Sequence, residues 1–303
     1  FKCFKKGKLM RKLKNILVTG GAGFIGSNFI RFILENTDFQ GNIINLDNLT
    51  YAGNLENLED IDNKYNGNRY YFEKADICDK DKVDKVFKKY DIDTVVHFAA
   101  ESHVDRSIVG PQKFVETNII GTFTLLEVFR KYLEKRKDVL FHHISTDEVF
   151  GSLGETGYFF EETPYSPKSP YSASKASSDH FVRAYHNTYG TNVTLSNCSN
   201  NYGPYQFPEK LVPLVIMNLI NNKDVPVYGN GKNIRDWLYV EDHASAIWLI
   251  LNKGETGETY NIGGENELTN IELVHLICEK IAQINNKGRD YYKKLIKYVK
   301  DRP

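Results

Sequence analysis

Asn15-Ile16-Leu17-Val18-Thr19-Gly20-Gly21-Ala22-Gly23-Phe24-Ile25-Gly26 decides the fold. A short apolar, β-branched run enters a glycine cluster, and a segment of helical period follows. Glycines at 20, 23 and 26 form GxxGxxG, and those at 21, 23 and 26 also satisfy GxGxxG. Glycine serves three needs at such a junction: a tight turn, close backbone approach to a pyrophosphate, and packing of the helix on the strand. The first turn of that helix then offers unpaired N–H groups to the anion. The triplet alone also fits a plain loop, so the acids downstream matter. Asp47 ends the next apolar run, 21 residues beyond Gly26, where a carboxylate accepts from both ribose hydroxyls. An acid there repels a 2′-phosphate, which favours NAD over NADP. Asp76-Ile77 ends the third run, where the acid can meet an adenine amino group or cap the following helix.

Outward from this junction, apolar strand-like runs alternate with longer helical stretches, the rhythm of βαβ units. The pattern predicts strands at 15–19, 42–46, 69–73, 94–98, 140–145 and 192–197. It predicts helices at 25–35, 80–89, 115–133 and 172–189. Beyond about residue 200 the rhythm loosens, 201–208 reads as a loop, and a helix starts near Lys210. The expectation is an α/β protein: a Rossmann-type doubly wound parallel sheet over 15–200, with a smaller mixed α/β substrate domain over 201–303. Parts of the chain are allowed to cross between the two. The smaller domain is expected to close over the carboxyl ends of the strands. Residues 1–14, with seven basic and no acidic side chains, read as a disordered basic extension, and Met10 is a plausible native start.

Composition narrows the function. Lys plus Arg equals Asp plus Glu at 39 each, so no net field gathers nucleic acid or an anionic membrane. No apolar run nears the ~20 residues that cross a bilayer. The four cysteines, at 3, 78, 198 and 278, have no zinc or redox spacing, which suits a reduced cytoplasmic setting. His97, His103, His142 and His143 lack metal spacing and read as structural, so no metal is expected.

Tyr171 and Lys175 stand at i and i+4, on one face of a helix. A tyrosine base must lose its proton near neutrality, a shift of about three units that costs roughly 4 kcal/mol. A nearby ammonium and a nicotinamide charge can supply it. Upstream, Ser145-Thr146-Asp147-Glu148 supplies a strand end. Thr146 can hydrogen-bond a reacting hydroxyl. Simple alcohol oxidation needs neither neighbouring carboxylate, but loss of water needs an acid and a base. Asp147, protonated, can donate to a departing hydroxyl while Glu148 takes the proton beside a new ketone. Consecutive strand residues face opposite ways, so both reach one substrate only if the strand has ended. A solvated acidic turn is the alternative.

Seven motifs in order, TGGAGFIGSNF (19–29), FAAESHVDRS (98–107), ISTDEVFG (144–151), PYSASKASSDH (170–180), NCSNNYGPYQFPEKLVPL (197–214), IRDWLYVEDHA (234–244) and YNIGG (260–264), carry a resemblance. The chain from Lys14 to Pro303 resembles the dTDP-glucose 4,6-dehydratase family of extended short-chain dehydrogenases/reductases. The glycine and YxxxK motifs are shared across that wider class, while the Thr-Asp-Glu triplet and the 197–214 block are narrower. The resemblance implies Thr146, Asp147, Glu148, Tyr171 and Lys175 as catalytic positions. It implies NAD as cofactor, held by Gly20, Gly23, Phe24, Ile25, Gly26, Asp47, Asn48, Leu49, Thr50, Asp76, Ile77, Phe98, Ala99, Ala100, Ser102, Thr117, Tyr171, Lys175 and Asn201. For dTDP-glucose it implies Ser102, Thr146, Asn200, Lys210, Leu211, Pro226, Val227, Tyr228, Arg235, Asn270, Asp301 and Arg302. It implies a homodimer built on helices 115–133 and 172–189.

Arg235 suits a diphosphate, with pairing to Asp236 as its bland alternative, and Tyr228 can stack on a base. Two features depart from the family: Phe150 stands where tyrosine is usual, and the sequence stops at Asp301-Arg302-Pro303 where members continue. Without that tail, sugar-nucleotide affinity is the property in question. A nucleotide-sugar 4-epimerase shares everything but the need for Asp147-Glu148, and a non-catalytic NAD-sensing module has no need of the Tyr171–Lys175 pair. A 4,6-dehydratase on another nucleotide sugar is the remaining variant.

Overall fold

The computed structural model describes residues 11–134, 136, 138–153 and 157–301. In chain order the elements are β1 (Asn15–Thr19), α1 (Phe24–Asn36), β2 (Asn42–Asp47), α2 (Glu59–Tyr65), β3 (Tyr70–Lys74), α3 (Lys80–Tyr90) and β4 (Thr94–His97). There follow α4 (Val104–Val109), α5 (Pro111–Phe114), a π-helical stretch (Val115–Gly121), α6 (Thr122–Leu133), β5 (Leu140–Thr146), α7 (Pro170–Tyr189) and β6 (Val193–Cys198). The remainder is β7 (Asn200–Tyr202), α8 (Leu211–Ile220), β8 (Val225–Tyr228), β9 (Ile234–Tyr239), α9 (Val240–Lys253), β10 (Thr259–Ile262), β11 (Glu267–Thr269), α10 (Asn270–Ile284) and β12 (Ile296–Val299).

By internal packing the chain forms two units. One runs to Cys198 and takes back Val240–Ile262; the other comprises Ser199–Tyr239 and the chain from Gly263 onward. The first unit holds a seven-stranded parallel sheet in the order β10-β6-β5-β4-β1-β2-β3. The order reverses at β1/β4, the switch point of a doubly wound sheet. Strand alternation divides the core. Leu17, Ile44, Leu46 and Phe141 pack with residues of α3, α6 and α7, such as Phe87, Phe129 and Val182. Their strand neighbours Ile16, Val18 and Ile43, equally buried, therefore turn to the opposite face. The helix α1 packs with α9, and Phe39 meets Trp248 edge-on. Near-continuous apolar strands are what a sheet covered on both faces requires.

Several elements differ from the sequence reading. The helix expected over 115–133 begins as a π-turn before becoming α-helical at Thr122. Residues 200–202, within and beside the expected loop, pair with β9 as a short strand. Arg11, in the segment read as disordered, donates from its guanidinium to the carbonyls of Leu251 (2.7 Å), Ile250 (3.2 Å) and Gly254, at the end of α9. The C-terminal end of a helix is the negative end of its dipole, and a cation suits it. Residues 1–10 lie outside the described residues.

The second unit is smaller and mixed. A sheet of β11-β9-β7 and the pair β12-β8 pack with α8 and α10 around Val215, Leu219, Val227, Trp237, Val274 and Ile277. A capping box at Thr269 and Glu272 starts α10.

Candidate active site

The glycine junction is built as its spacing requires. Gly20 adopts φ +71°, and a Cβ there would lie 2.7 Å from Ala99 Cα. A Cβ at Gly26 would lie 2.3 Å from the Gly20 carbonyl oxygen, so glycine lets α1 seat against β1. Gly23 is different: an added Cβ would meet only the Gly20 oxygen, at 3.3 Å. Packing within the chain makes no strict demand for glycine at that position, whereas a ligand lying on the backbone would. Gly23 is also the N-cap of α1 and brings no side-chain bond to the first turn, which leaves the N–H groups of Phe24, Ile25 and Gly26 to an anion.

Asp47, buried at the end of β2, accepts from Ala22 N–H (3.0 Å) and Leu49 N–H (2.8 Å). Burial pushes its carboxyl up, while those two N–H groups hold it down. Leu49 sits at φ 55° in the turn that follows. Asp76 accepts from Cys78 N–H and from the Asn48 amide, both at 2.8 Å. It is not the cap of α3; Asp79 has that role, accepting from Lys82 N–H at 3.1 Å. Phe98, Ala99, Ala100 and Ser102 follow β4 in a loop. Asn118 ties this loop down: its side chain exchanges hydrogen bonds with Glu101 N–H and C=O, both 2.9 Å, and donates to Ser174 Oγ at 2.8 Å. Sequence reasoning passed over Asn118, since an asparagine inside a helical pattern carries no signal. It lies in the π-turn beside Thr117, a distortion frequent at functional sites.

β5 ends at Thr146, and Asp147–Phe150 forms a 3₁₀ turn capped by Thr146 Oγ1, which accepts from Glu148 N–H at 3.3 Å. The condition for both acids to face one substrate is therefore met. Thr146 also donates to Asp147 Oδ1 at 3.2 Å. Opposite, α7 begins with Pro170 in its first turn and a Ser169–Ser172 capping box, which places Tyr171 at the very start of the helix. The Tyr171 hydroxyl feels the charges of Glu148 and Asp147. Burial first, then Glu148, push it well above 10, with the Thr146 hydroxyl opposing. The Lys175 ammonium donates to the Ile144 carbonyl at 2.8 Å and lies 3.5 Å from His143 Nε2. Phe150 stacks on Phe159 (5.0 Å between centroids) and meets Tyr165 edge-on, a purely apolar role beneath the turn.

Three histidines are tied into hydrogen bonds of the fold. His142 bonds Thr194 (2.9 Å) and Ser196 (3.2 Å), and His97 bonds Thr19 (2.7 Å) and Thr122 (2.9 Å). His103 caps α4.

The residues expected to meet the sugar nucleotide, apart from Ser102 and Thr146, fall in the second unit. Asn200 and Asn201 lie on β7, and Lys210 is the N-cap of α8, which Leu211 opens. Pro226, Val227 and Tyr228 lie on β8, whose partner β12 places Val299 opposite Tyr228. The loop from β8 to β9 meets the start of α10 through Asn270 N–H to Asn233 C=O (3.0 Å) and Ile271 N–H to Gly231 C=O (3.0 Å). Arg235 on β9 donates to the Ile234 carbonyl at 2.8 Å. Asp236 instead accepts from Gly264 N–H (2.7 Å) and Asn266 N–H (2.9 Å), which leaves Arg235 available to a ligand anion. Asp301 is exposed, and its carboxylate lies where a Cβ on Gly229 would meet it at 2.7 Å. Arg302 lies outside the described residues.

The doubly wound sheet, the glycine junction at its switch point and the Thr146/Tyr171/Lys175 cluster together define an extended short-chain dehydrogenase/reductase. A family profile described as GDP-mannose 4,6 dehydratase matches residues 17–303. The chain is 55% identical over 302 residues to a dTDP-glucose 4,6-dehydratase of Salmonella typhimurium, covering 95% of this chain and 82% of that one. A crystal structure of dTDP-glucose 4,6-dehydratase from Bacillus anthracis in complex with NAD superposes with TM-score 0.84 at 49% identity, over 96% and 85% of the two chains. A Thermus thermophilus UDP-glucose 4-epimerase complex with NAD reaches TM-score 0.82 at 30% identity, over 95% and 87%. The chain belongs to the dTDP-glucose 4,6-dehydratase family.

Proposed function

We propose that the chain converts dTDP-glucose to dTDP-4-keto-6-deoxyglucose on a tightly bound NAD. The observation that carries the reading is the Asp147-Glu148 turn beside the Tyr171 hydroxyl. An epimerase has no use for an acid–base pair at that place, and the epimerase relative is correspondingly the more distant one. Gly20, Gly23, Gly26, Phe24 and Ile25 would hold the pyrophosphate, Asp47 the ribose of the adenosine, and Asp76-Ile77 the adenine. Asn48, Leu49, Thr50, Phe98, Ala99, Ala100, Ser102, Thr117, Lys175 and Asn201 complete the cofactor contacts. When bound, NAD supplies a hydride acceptor for sugar C4 and later a donor for C6.

The chain's own groups move the protons. Tyr171 takes the proton of the C4 hydroxyl, held in line by Thr146. The resulting ketone acidifies C5–H, which Glu148 removes, while Asp147 protonates the departing C6 hydroxyl. When C6 is reduced, Glu148 returns its proton to C5, so the sum is loss of one water with no net oxidation. Lys175 would bring positive charge to offset the upward push on Tyr171. Asn200, Lys210, Leu211, Pro226, Val227, Tyr228, Arg235, Asn270, Asp301 and Arg302 would bind the sugar nucleotide, with Arg235 on the diphosphate.

The protein acts in the cytoplasm as a homodimer, on this reading. Exposed Ile120 and the exposed Phe123–Phe181 pair, 6.2 Å between centroids, give the outer faces of the π-turn, α6 and α7 an apolar surface to bury. Among the described residues no helix is long and apolar enough to cross a membrane. The test is incubation with dTDP-glucose without added NAD, with mass spectrometry of the nucleotide sugar and light scattering on the same sample. Loss of one water from a protein of twice the chain mass is expected. An unchanged sugar mass would overturn the dehydratase, and a monomeric mass would overturn the dimer.

A further inference from the structure

One turn of α7 beyond Lys175, on the face that also carries Tyr171, stands Asp179. Its carboxylate has no exposure to solvent. Ser145 Oγ donates to Oδ2 at 2.7 Å and the Tyr165 hydroxyl donates to the same oxygen at 2.9 Å. His143 Nε2 lies 3.1 Å from Oδ1, at hydrogen-bond distance but off the ideal line. Asp179 thereby grips positions 143 and 145 of β5, immediately before Thr146. Tyr165 is itself fixed by Arg183, which donates to its hydroxyl at 2.8 Å.

Lys175 is buried among the same groups. The titratable groups that face it are Asp179 from its own helix, His143 from β5, Cys198 from the end of β6 and His97 from β4. Burial keeps both histidines neutral, since it pushes His143 down to about 4 and His97 well below its ordinary value. Asp179 is the carboxylate in that set. An ammonium out of water is costly unless a charge answers it.

We propose that Asp179 is a positioning residue: the buried counter-charge of Lys175, acting on the reaction through that lysine and not by touching substrate. The proposal rests on the roles given to Tyr171 and Lys175 above. The electrostatics agree in direction, since burial pushes Lys175 down and Asp179 is the first group pulling it back. Reciprocally, His143 and Lys175 draw Asp179 down against its own burial.

If Lys175 works as a cation, turnover is full below its pKa and lost above it. Asp179→Asn keeps the shape and removes the charge. Its alkaline limb in the pH profile of dTDP-glucose turnover should therefore fall by about one pH unit or more, with roughly tenfold loss near pH 8 and partial recovery near pH 6. Tyr165→Phe removes one hydrogen bond but no charge and should leave that limb in place. A loss in Asp179→Asn that is uniform across pH would mean a structural role and overturn the proposal. A second arm needs no turnover. Lys175→Met strands the Asp179 charge and should lower the thermal midpoint, and Lys175→Met with Asp179→Asn should recover it. A double variant that melts no higher than Lys175→Met overturns the counter-charge. Absence of dTDP-glucose turnover in the unaltered protein would overturn the substrate reading, while the thermal cycle would still decide the role of Asp179.

Discussion

The Tyr171 hydroxyl stands in the field of Glu148 and Asp147, so the three groups proposed to move protons share one small volume. Their roles nevertheless separate by step. Glu148→Gln removes the acceptor for the C5 proton and leaves the route for the C4 proton intact. Turnover should fall by about 10²–10⁴-fold, the range for loss of a general base. Oxidation at C4 should persist, visible as a transient rise in NADH absorbance on mixing with dTDP-glucose. Loss of the Glu148 charge also removes a group that pushes the phenol up, so C4 oxidation should not be slowed. Tyr171→Phe should suppress both steps. Equal loss of both steps in Glu148→Gln would contradict the division. At this scale the candidate groups were readable because their types are rare together: a YxxxK face and two adjacent acids at a strand end. Their support was not. Nothing in the sequence says that Asp179, eight residues beyond Tyr171, meets Ser145 and Tyr165, because those contacts exist only once α7 lies on β5.

The junction of β1 and α1 gives the clearest case at the scale of elements. Two glycines of one motif are held by different constraints. Gly26 is required by the fold: its Cβ would meet backbone atoms of Gly20 and Gly21 at 2.3 and 2.8 Å, which cannot swing aside. Gly26→Ala should therefore destabilise the protein by about 1–3 kcal/mol, as overpacking does, and lose bound NAD with it. Gly23 has φ −79° and ψ 179°, open to any residue, and its Cβ meets little. Gly23→Ala should melt within a degree or two of the parent yet carry much less NAD after purification. A Gly23→Ala protein that keeps its NAD would remove the pyrophosphate from this turn. The first six strands and the helices α1, α3 and α7 were legible to within a residue or two, because apolar runs and helical periods are local, whereas the short helices α2, α4 and α5 were not read. The π-turn at 115–121 was not legible, and the bonds that Asn118 makes from it to Glu101 and Ser174 join residues far apart in the chain. Nor was the pairing of 200–202 with β9, in which a three-residue segment becomes a strand only beside a partner more than thirty residues on.

The return of Val240–Ile262 to the first unit adds β10 to the sheet and α9 beside α1. No local signal marks that return, which is a property of the whole chain. It also brings in His243, which joins His97, His142 and His143 as a fourth fully buried histidine of that unit. Burial pushes His142 and His243 down to about 3, His143 to about 4 and His97 well below 6.5. The sign follows from linkage. Below the ordinary value of 6.5 the unfolded chain takes up protons that the folded unit refuses, so stability is full above that value and falls as pH drops toward 3–4. At pH 5 each such histidine costs about 2 kcal/mol relative to neutrality. Asp179, drawn down by its partners, works in the same sense, while Asp47 and Asp93, pushed up by burial, work against it. The expected outcome in urea titrations is a clear loss of unfolding free energy between about pH 7.5 and pH 5, with roughly three or more protons taken up on unfolding near the lower end. Where the two units unfold in separate transitions, the shift belongs to the one that loses the seven-stranded sheet, since all four histidines lie there. A midpoint that stays level across this range would show that the buried imidazoles are reached by water or charged in place, and the electrostatic description of the β4–β5 core would have to be abandoned.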